Sequence, residues 1–253
     1  MPLPKITTPT YELELPSTGK TIQYRPFLVK EEKLLLFALE SKKVDDKGNE
    51  REDVTQITEA LKTVIGNCIK TKNIKVDELP TFDIEYLFLN IRGKSVGEEV
   101  EVNVLCPDDY QTEVKVTINL EDIKVQKNPE HTNKIKVDEH IMMEMKYPSL
   151  QQFIKNNFVL DPEDATDQSF AMIADCVDKI YTEEEVYAVN GGNGDATKQE
   201  VLDFLDQMTD IQFKQIEKFF ETMPKLSHKI KVKNPKTEVE SEVVLEGLSG
   251  FFG

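Results

Sequence analysis

The stretch from Leu79 to Leu120 limits the folds open to this chain more than any other. It runs LPTFDIEYLFLNIRGKSV and then GEEVEVNVLCPDDYQTEVKVTINL. In the first piece Phe82, Ile84, Tyr86, Leu87, Phe88, Leu89 and Ile91 are apolar around most of a helical wheel, which predicts a helix over 80–94 wrapped by other elements. In the second, Val100, Val102 and Val104 alternate with Glu and Asn, and Val114, Val116 and Ile118 with Lys and Thr. A period of two predicts a half-solvated antiparallel hairpin over 99–119.

The same order recurs near the end. TDIQFKQIEKFF predicts a second core helix over 209–222, and HKIKVKNPKTEVESEVVLEGL predicts a hairpin over 228–245 that turns at Asn234-Pro235-Lys236-Thr237. Upstream of each core helix lie a Tyr-Pro lead-in and an amphipathic helix with a lone cysteine. These are Tyr24-Arg25-Pro26 with Cys68 and Tyr147-Pro148 with Cys176. The expectation is an α+β protein of two similar lobes from a tandem duplication, residues 1–127 and 128–253, each with helices packed on antiparallel β-hairpins.

Between these landmarks the chain reads as alternating elements and loops. Residues 1–9 hold three prolines and form an arm or a loose tail. Tyr11 to Tyr24 reads as a first hairpin around Pro16-Ser17-Thr18-Gly19, Phe27 to Leu39 as a helix, VDDKGNERED as an exposed charged loop, and Val54 to Ile69 as a helix. The lobe boundary falls in the polar segment near Asn128-Pro129. Ser149 with Gln152 marks the cap of a short helix ending near Phe158, and Asp161-Pro162 a turn. Phe170, Ile173, Ala174, Val177 and Ile180 mark the Cys176 helix, TEEEVYAVNGGNGDATKQ reads as a loop or short ribbon, and Val201, Leu202 and Leu205 mark another helix. Thr209 with Gln212 caps the second core helix, which Met223-Pro224 ends.

Charge bears on partners. A formal net charge of -16 repels phosphate backbones and anionic lipid surfaces, which argues against nucleic acid and for a solvated protein or one that meets a basic protein patch. Three unclustered cysteines make no disulfide framework and suit a reducing cytoplasm. The first residues lack a positive stretch followed by an apolar run, and no segment approaches the roughly 18 apolar residues of a spanning helix. A soluble protein, cytoplasmic where it is made, is expected; assembly at a membrane surface stays compatible with the sequence.

Chemistry-bearing patterns are incomplete. Gly19-Lys20-Thr21 matches the tail of a phosphate loop, but Glu14 stands where glycine is needed and the context is strand to strand. Asn190 to Asp195 lack calcium-loop spacing, and His131, His140 and His228 lack a ligand set. Cys106-Pro107 sits at a hairpin tip like a zinc knuckle, yet position 109 is Asp and the second tip has no cysteine. The acidic runs Glu98-Glu99 and Glu183-Glu184-Glu185 read as solvated faces. No catalytic residue, metal ligand or cofactor site is expected, and the reading is of a non-enzyme. A small-molecule or metal-binding protein with a site hidden in the fold is the alternative.

The residues Tyr24-Arg25-Pro26-Phe27-Leu28-Val29-Lys30-Glu31-Glu32-Lys33, the motif FDIEYLFLNIRGKSVGE, the segment ADCVDKIY, and the ending FFETMPKL with EVVLEGLSGFF resemble the baseplate hub assembly proteins of T-even-type contractile-tailed phages. The resemblance covers nearly the whole chain. It implies a viral protein, made late, that helps to build the central hub of the tail baseplate as a chaperone-like assembly factor or as a hub component. It implies hub or tape-measure proteins as partners, and a location in the host cytoplasm during assembly or in the virion tail. The resemblance implies Cys-Pro-x-Cys at the hairpin tips of many related sequences; Cys106-Pro107 and Asn234-Pro235 depart from that and put a family metal in doubt here.

Such a role needs surfaces, and two stand out. Leu245, Leu248, Phe251 and Phe252 place large apolar groups at a terminus, where they either dock on their own lobe or anchor a partner. Arg92, Lys94 and Ser95 close the core helix, where cations also favour the helix dipole.

Overall fold

The computed structural model describes residues 6–44, 50–52, 54–150, 165–189 and 196–247. Among them the order is β1 (Tyr11–Glu14), β2 (Thr21–Tyr24), α1 (Val29–Glu40), β3 (Lys42–Val44), β4 (Glu50–Glu52), α2 (Val54–Cys68), α3 (Thr81–Val96), β5 (Glu99–Leu105), β6 (Glu113–Asn119) and β7 (Lys124–Gln126). There follow β8 (Lys134–Lys136), β9 (Met142–Met145), α4 (Ala165–Cys176), β10 (Val177–Tyr181), β11 (Val186–Ala188), α5 (Lys198–Leu205), α6 (Asp210–Thr222), β12 (Lys225–Lys233) and β13 (Glu240–Glu246). These strands pair antiparallel in small sheets, so the protein is α+β as its sequence predicts. The chain divides into two compact units, residues 1–126 with 225–253, and residues 127–224.

The first unit is organised on α3. This helix buries Phe82, Ile84, Leu87, Leu89 and Ile91, apolar side chains on several faces that only a surrounded helix can keep from water. It runs two residues past its expected end and stops at Gly97, whose φ of 134° suits glycine. Strands β5 and β6 pair from Glu99↔Asn119 to Leu105↔Glu113, and Val100, Val102 and Val104 on the inner face cluster with Leu89, Ile118, Leu120 and Ile123. At the other end of α3, the buried Asp83 carboxylate accepts hydrogen bonds from the Ser17 N–H (3.0 Å) and hydroxyl, tying the β1–β2 turn to the first turn of the helix.

The last hairpin does not stay in a second lobe. Strand β12 pairs with β13 from Ser227↔Glu246 to Lys233↔Glu240, and also with β7 from Lys225↔Gln126 to Ser227↔Lys124. Its Leu226, Ile230 and Val232 complete the same cluster as Leu89 and the β5–β6 valines. The boundary expected near residue 128 is where the first unit is left, at Gln126, but the hairpin expected in 128–253 returns to the first unit. The cause is physical: alternation leaves β12 with an apolar face to cover, and β7 offers a free edge to pair with. The second unit is therefore inserted in sequence between two paired strands.

The second unit has a four-stranded sheet in the order β11-β10-β9-β8. Met143, Met145, Ile173, Cys176, Val177 and Phe219 belong to its core. Two expectations differ from what is seen. Val177 and Ile180, placed by spacing in the Cys176 helix, lie on β10, because β10 is hydrogen-bonded on both edges and β-branched residues suit that setting. Helix α6, expected as a core helix, buries only Ile216 and Phe219, since Lys214, Gln215, Glu217, Lys218 and Glu221 make its other faces polar. Its Thr209/Gln212 capping box forms as expected, and Thr197/Glu200 forms a second one on α5. The charged loop after α1 begins and ends in the β3–β4 pair. Residues 1–5 of the 1–9 arm, Gln152 and the short helix through Phe158, Asp161-Pro162 and Asn190 to Asp195 lie outside the described residues.

Candidate docking surfaces

Helix α1 is held from below by a buried ion pair. Leu28, just before the helix, is extended, and the Arg25 N–H donates to the Cys68 carbonyl at the end of α2 (3.0 Å). The Arg25 guanidinium donates to the Glu31 carboxylate at 3.1 Å and to the Pro26 carbonyl at 2.8 Å. Glu31 is 1% exposed; its carboxylate also accepts from the Leu28 N–H (2.8 Å), an orphan donor at the helix start. Burial raises the Glu31 pKa, but hydrogen bonds from Arg25, the Leu28 N–H and Lys30 outweigh it and hold the carboxyl below its ordinary value. The Tyr-Arg-Pro lead-in and the Glu31 six residues on are thus one clamp.

What the clamp presents is apolar. Leu28, Val29, Leu36, Phe37 and Leu39 are exposed, Val29 by 66% and Phe37 by 67%. Fully burying a side chain of this kind contributes about 1.5–3 kcal/mol, which this unit forgoes several times on one short helix. A run of exposed large apolar side chains on one element marks a protein-contact surface more often than chance exposure does.

The expected surface residues are mostly engaged within the chain. The Ser95 hydroxyl accepts from the Phe27 N–H (2.9 Å) and donates to the Ile91 carbonyl (2.5 Å), fastening the α1 lead-in to α3. Lys94 pairs with Glu98 and with Glu121 (2.9 Å) and stands 5.7 Å over the Tyr11 ring; the hydrogen bonds to Glu98 and Glu121 push its pKa up. Arg92 is half-buried, and burial lowers its pKa. Leu245 packs against the first unit's core, and Leu248, Phe251 and Phe252 lie outside the described residues.

The tips of the β5–β6 and β12–β13 hairpins are clasped. The tips share an i+4→i bond, Tyr110 N–H to Cys106 O and Glu238 N–H to Asn234 O, but the first is one residue longer: Cys106 N–H donates to Thr112 O, whereas Asn234 N–H donates to Val239 O. Tyr110 and Glu238 take matching φ values of 51° and 61°. Asp109 accepts from the Gln111 and Thr112 N–H groups (3.0 Å each) and braces the first turn; the Asn234 amide oxygen accepts from the Lys236 N–H (2.9 Å) and braces the second. Across the gap the Asn234 amide donates to both Asp108 oxygens (3.1 and 3.0 Å), joined by the Thr237 hydroxyl. Hydrogen bonds from Thr237 and Asn234 lower the Asp108 pKa. The shared Pro at the second position of both tips was the available sign of this; the partner choice, Asp108 rather than Cys106, was not readable.

A protein-family model described as T4 bacteriophage base plate protein matches residues 8–253. The chain belongs to that family. Neither a curated protein nor a solved structure matches it.

Other features of this baseplate protein are structural. His131 is stacked on Tyr147 and tilted against Phe219, with its ring nitrogens 2.9 Å from the Thr222 hydroxyl and 3.0 Å from the Tyr147 hydroxyl. Burial lowers its pKa, which favours the neutral ring. His140 meets Glu183 at 2.8 Å, and His228 lies on β12 opposite Leu245. No three His, Cys, Asp or Glu side chains converge as a metal set among the described residues. The cysteines are buried, and desolvation pushes Cys68 to about 11 and Cys176 to about 12, so neither is a thiolate at neutral pH. An open cavity of about 250 Å³ lined by Ile141, Ile180, Tyr187, Val201 and Phe204 offers Thr182 and Glu200 as polar groups. Among the described residues no helix is long and apolar enough to cross a membrane.

Proposed function

We propose that this baseplate protein helps to build, or is part of, the central hub of the phage tail baseplate, and that it acts through protein–protein contacts and not by catalysis. The exposed apolar face of α1 carries the reading: a rigidly clamped helix offers large side chains to solvent, where an enzyme would converge polar ones. Family membership supports a place among baseplate proteins. Hub or tape-measure proteins are the proposed partners, met in the host cytoplasm during assembly and kept, if the chain is a component, in the virion tail. Deleting the coding sequence from the phage tests this. Infected cells should accumulate peripheral baseplate parts without hubs, and supplying the chain in trans should restore them; complete hubs in its absence contradict the proposal.

A further inference from the structure

One face of helix α1 carries a single charge, Glu32, in an apolar frame. At about 100° per residue, Leu28, Val29, Glu32, Leu36 and Leu39 fall within an arc of about 100°, away from the buried Glu31 and Ala38. Val29 and Leu36, and Glu32 and Leu39, are each seven residues apart, the a and d spacing of a two-heptad seam. Glu32 is exposed, and no cation among the described residues pairs with its carboxylate. We propose that this seam takes one amphipathic helix of another baseplate subunit, laid along α1 with a lysine or arginine opposite Glu32.

The proposal rests on the docking role above and names its occupant. A helix face has side-chain ridges and no free backbone donors or acceptors, so it receives another helix and not an added strand. Twelve residues of α1 give a seam about 18 Å long, enough for about three turns of a partner helix. Covering Glu32 takes its carboxylate out of water, which is costly unless a cation meets it. A second copy of this chain fits poorly: with α1 against α1 antiparallel, Glu32 faces Leu36, and each copy brings a net charge of -16.

A photo-cross-linking amino acid placed at Leu36 of the full-length chain in infected cells tests this. The expected adduct is a peptide from a baseplate subunit, amphipathic and helical, with Lys or Arg within one turn of the linked residue. Glu32→Lys should lower the yield about tenfold or more, Glu32→Gln less, and a Lys→Glu change in the partner should restore it with Glu32→Lys. Adducts confined to this chain or to strand or loop peptides, or a yield indifferent to Glu32→Lys, overturn the proposal. A hub that assembles without the chain overturns the hub role alone, because the cross-link reads the seam directly.

Discussion

Replacing Glu31 with alanine should loosen α1 and with it the surface the helix presents. The carboxylate is 1% exposed and its partner Arg25 has a side chain 11% exposed, so the substitution strands a guanidinium in a nearly dry site. Breaking a buried pair from one side costs about 3–5 kcal/mol, because the remaining charge loses its compensation. The Leu28 N–H loses its acceptor as well. At about 2–4 °C per kcal/mol for a unit of this size, the first unit should melt roughly 10 °C lower. Glu31→Gln keeps the shape and one acceptor and should cost about half as much, whereas the double change Arg25→Met, Glu31→Leu should cost only about 1–3 kcal/mol, since an apolar pair strands no charge and leaves only the Leu28 N–H without its acceptor. Urea denaturation gives the free energies, and hydrogen exchange followed by mass spectrometry should place the loss in 25–40. The carboxyl is also held below its ordinary pKa. Its contribution is therefore complete above the unfolded value of about 4.3 and is lost as pH falls through the lower folded value. A Glu31→Ala protein within about 0.5 kcal/mol of wild type, with α1 exchange unchanged, would refute the clamp.

Other consequences can be checked separately. Asn234→Ala removes the brace of one tip and two of the three hydrogen bonds to Asp108; a loss of about 1.5–3 kcal/mol and faster exchange of the 105–113 and 233–240 amides are expected. Because burial lowers the His131 pKa, the second unit should be most stable above the unfolded value of about 6.5 and lose stability as pH falls toward the folded value; His131→Phe should flatten that slope in thermal melts. Joining Gln126 to Lys225 by Asn-Gly in place of 127–224 should leave the first unit able to fold, since these residues are register partners and a two-residue turn spans such a pair. Cooperative melting with near-ultraviolet dichroism supports the insertion, and a molten chain contradicts it.

Short-range pattern was legible where one physical demand dominated. The α3 wheel and the β5–β6 alternation leave little choice of element, and the structure has a helix at Thr81–Val96 and strands at Glu99–Leu105 and Glu113–Asn119. Val177 and Ile180 fit helical spacing as well as strand spacing, and only the neighbouring β9 and β11 decided between them. The return of β12 to β7 is a pairing of residues about a hundred apart, and nothing local encodes it. The exposed apolar side chains of α1 were not foreseen for a related reason. FLVKEEKLLLFAL reads as a helix apolar on one side, but which apolar residues stay uncovered depends on how far α2 extends over them. Lys94 and Ser95 looked free in sequence because Glu121 and the Phe27 N–H come from distant segments.

Incorporation of a Leu36→Asp, Leu39→Asp protein into baseplates tests the account most directly. Both side chains are more than half exposed, so its melting temperature should stay within about 2 °C of wild type, as surface changes usually do. Hubs purified from infected cells supplied only with this variant should be missing or reduced about tenfold. Normal hub yield with an intact fold would mean that the outer face of α1 touches nothing in the baseplate.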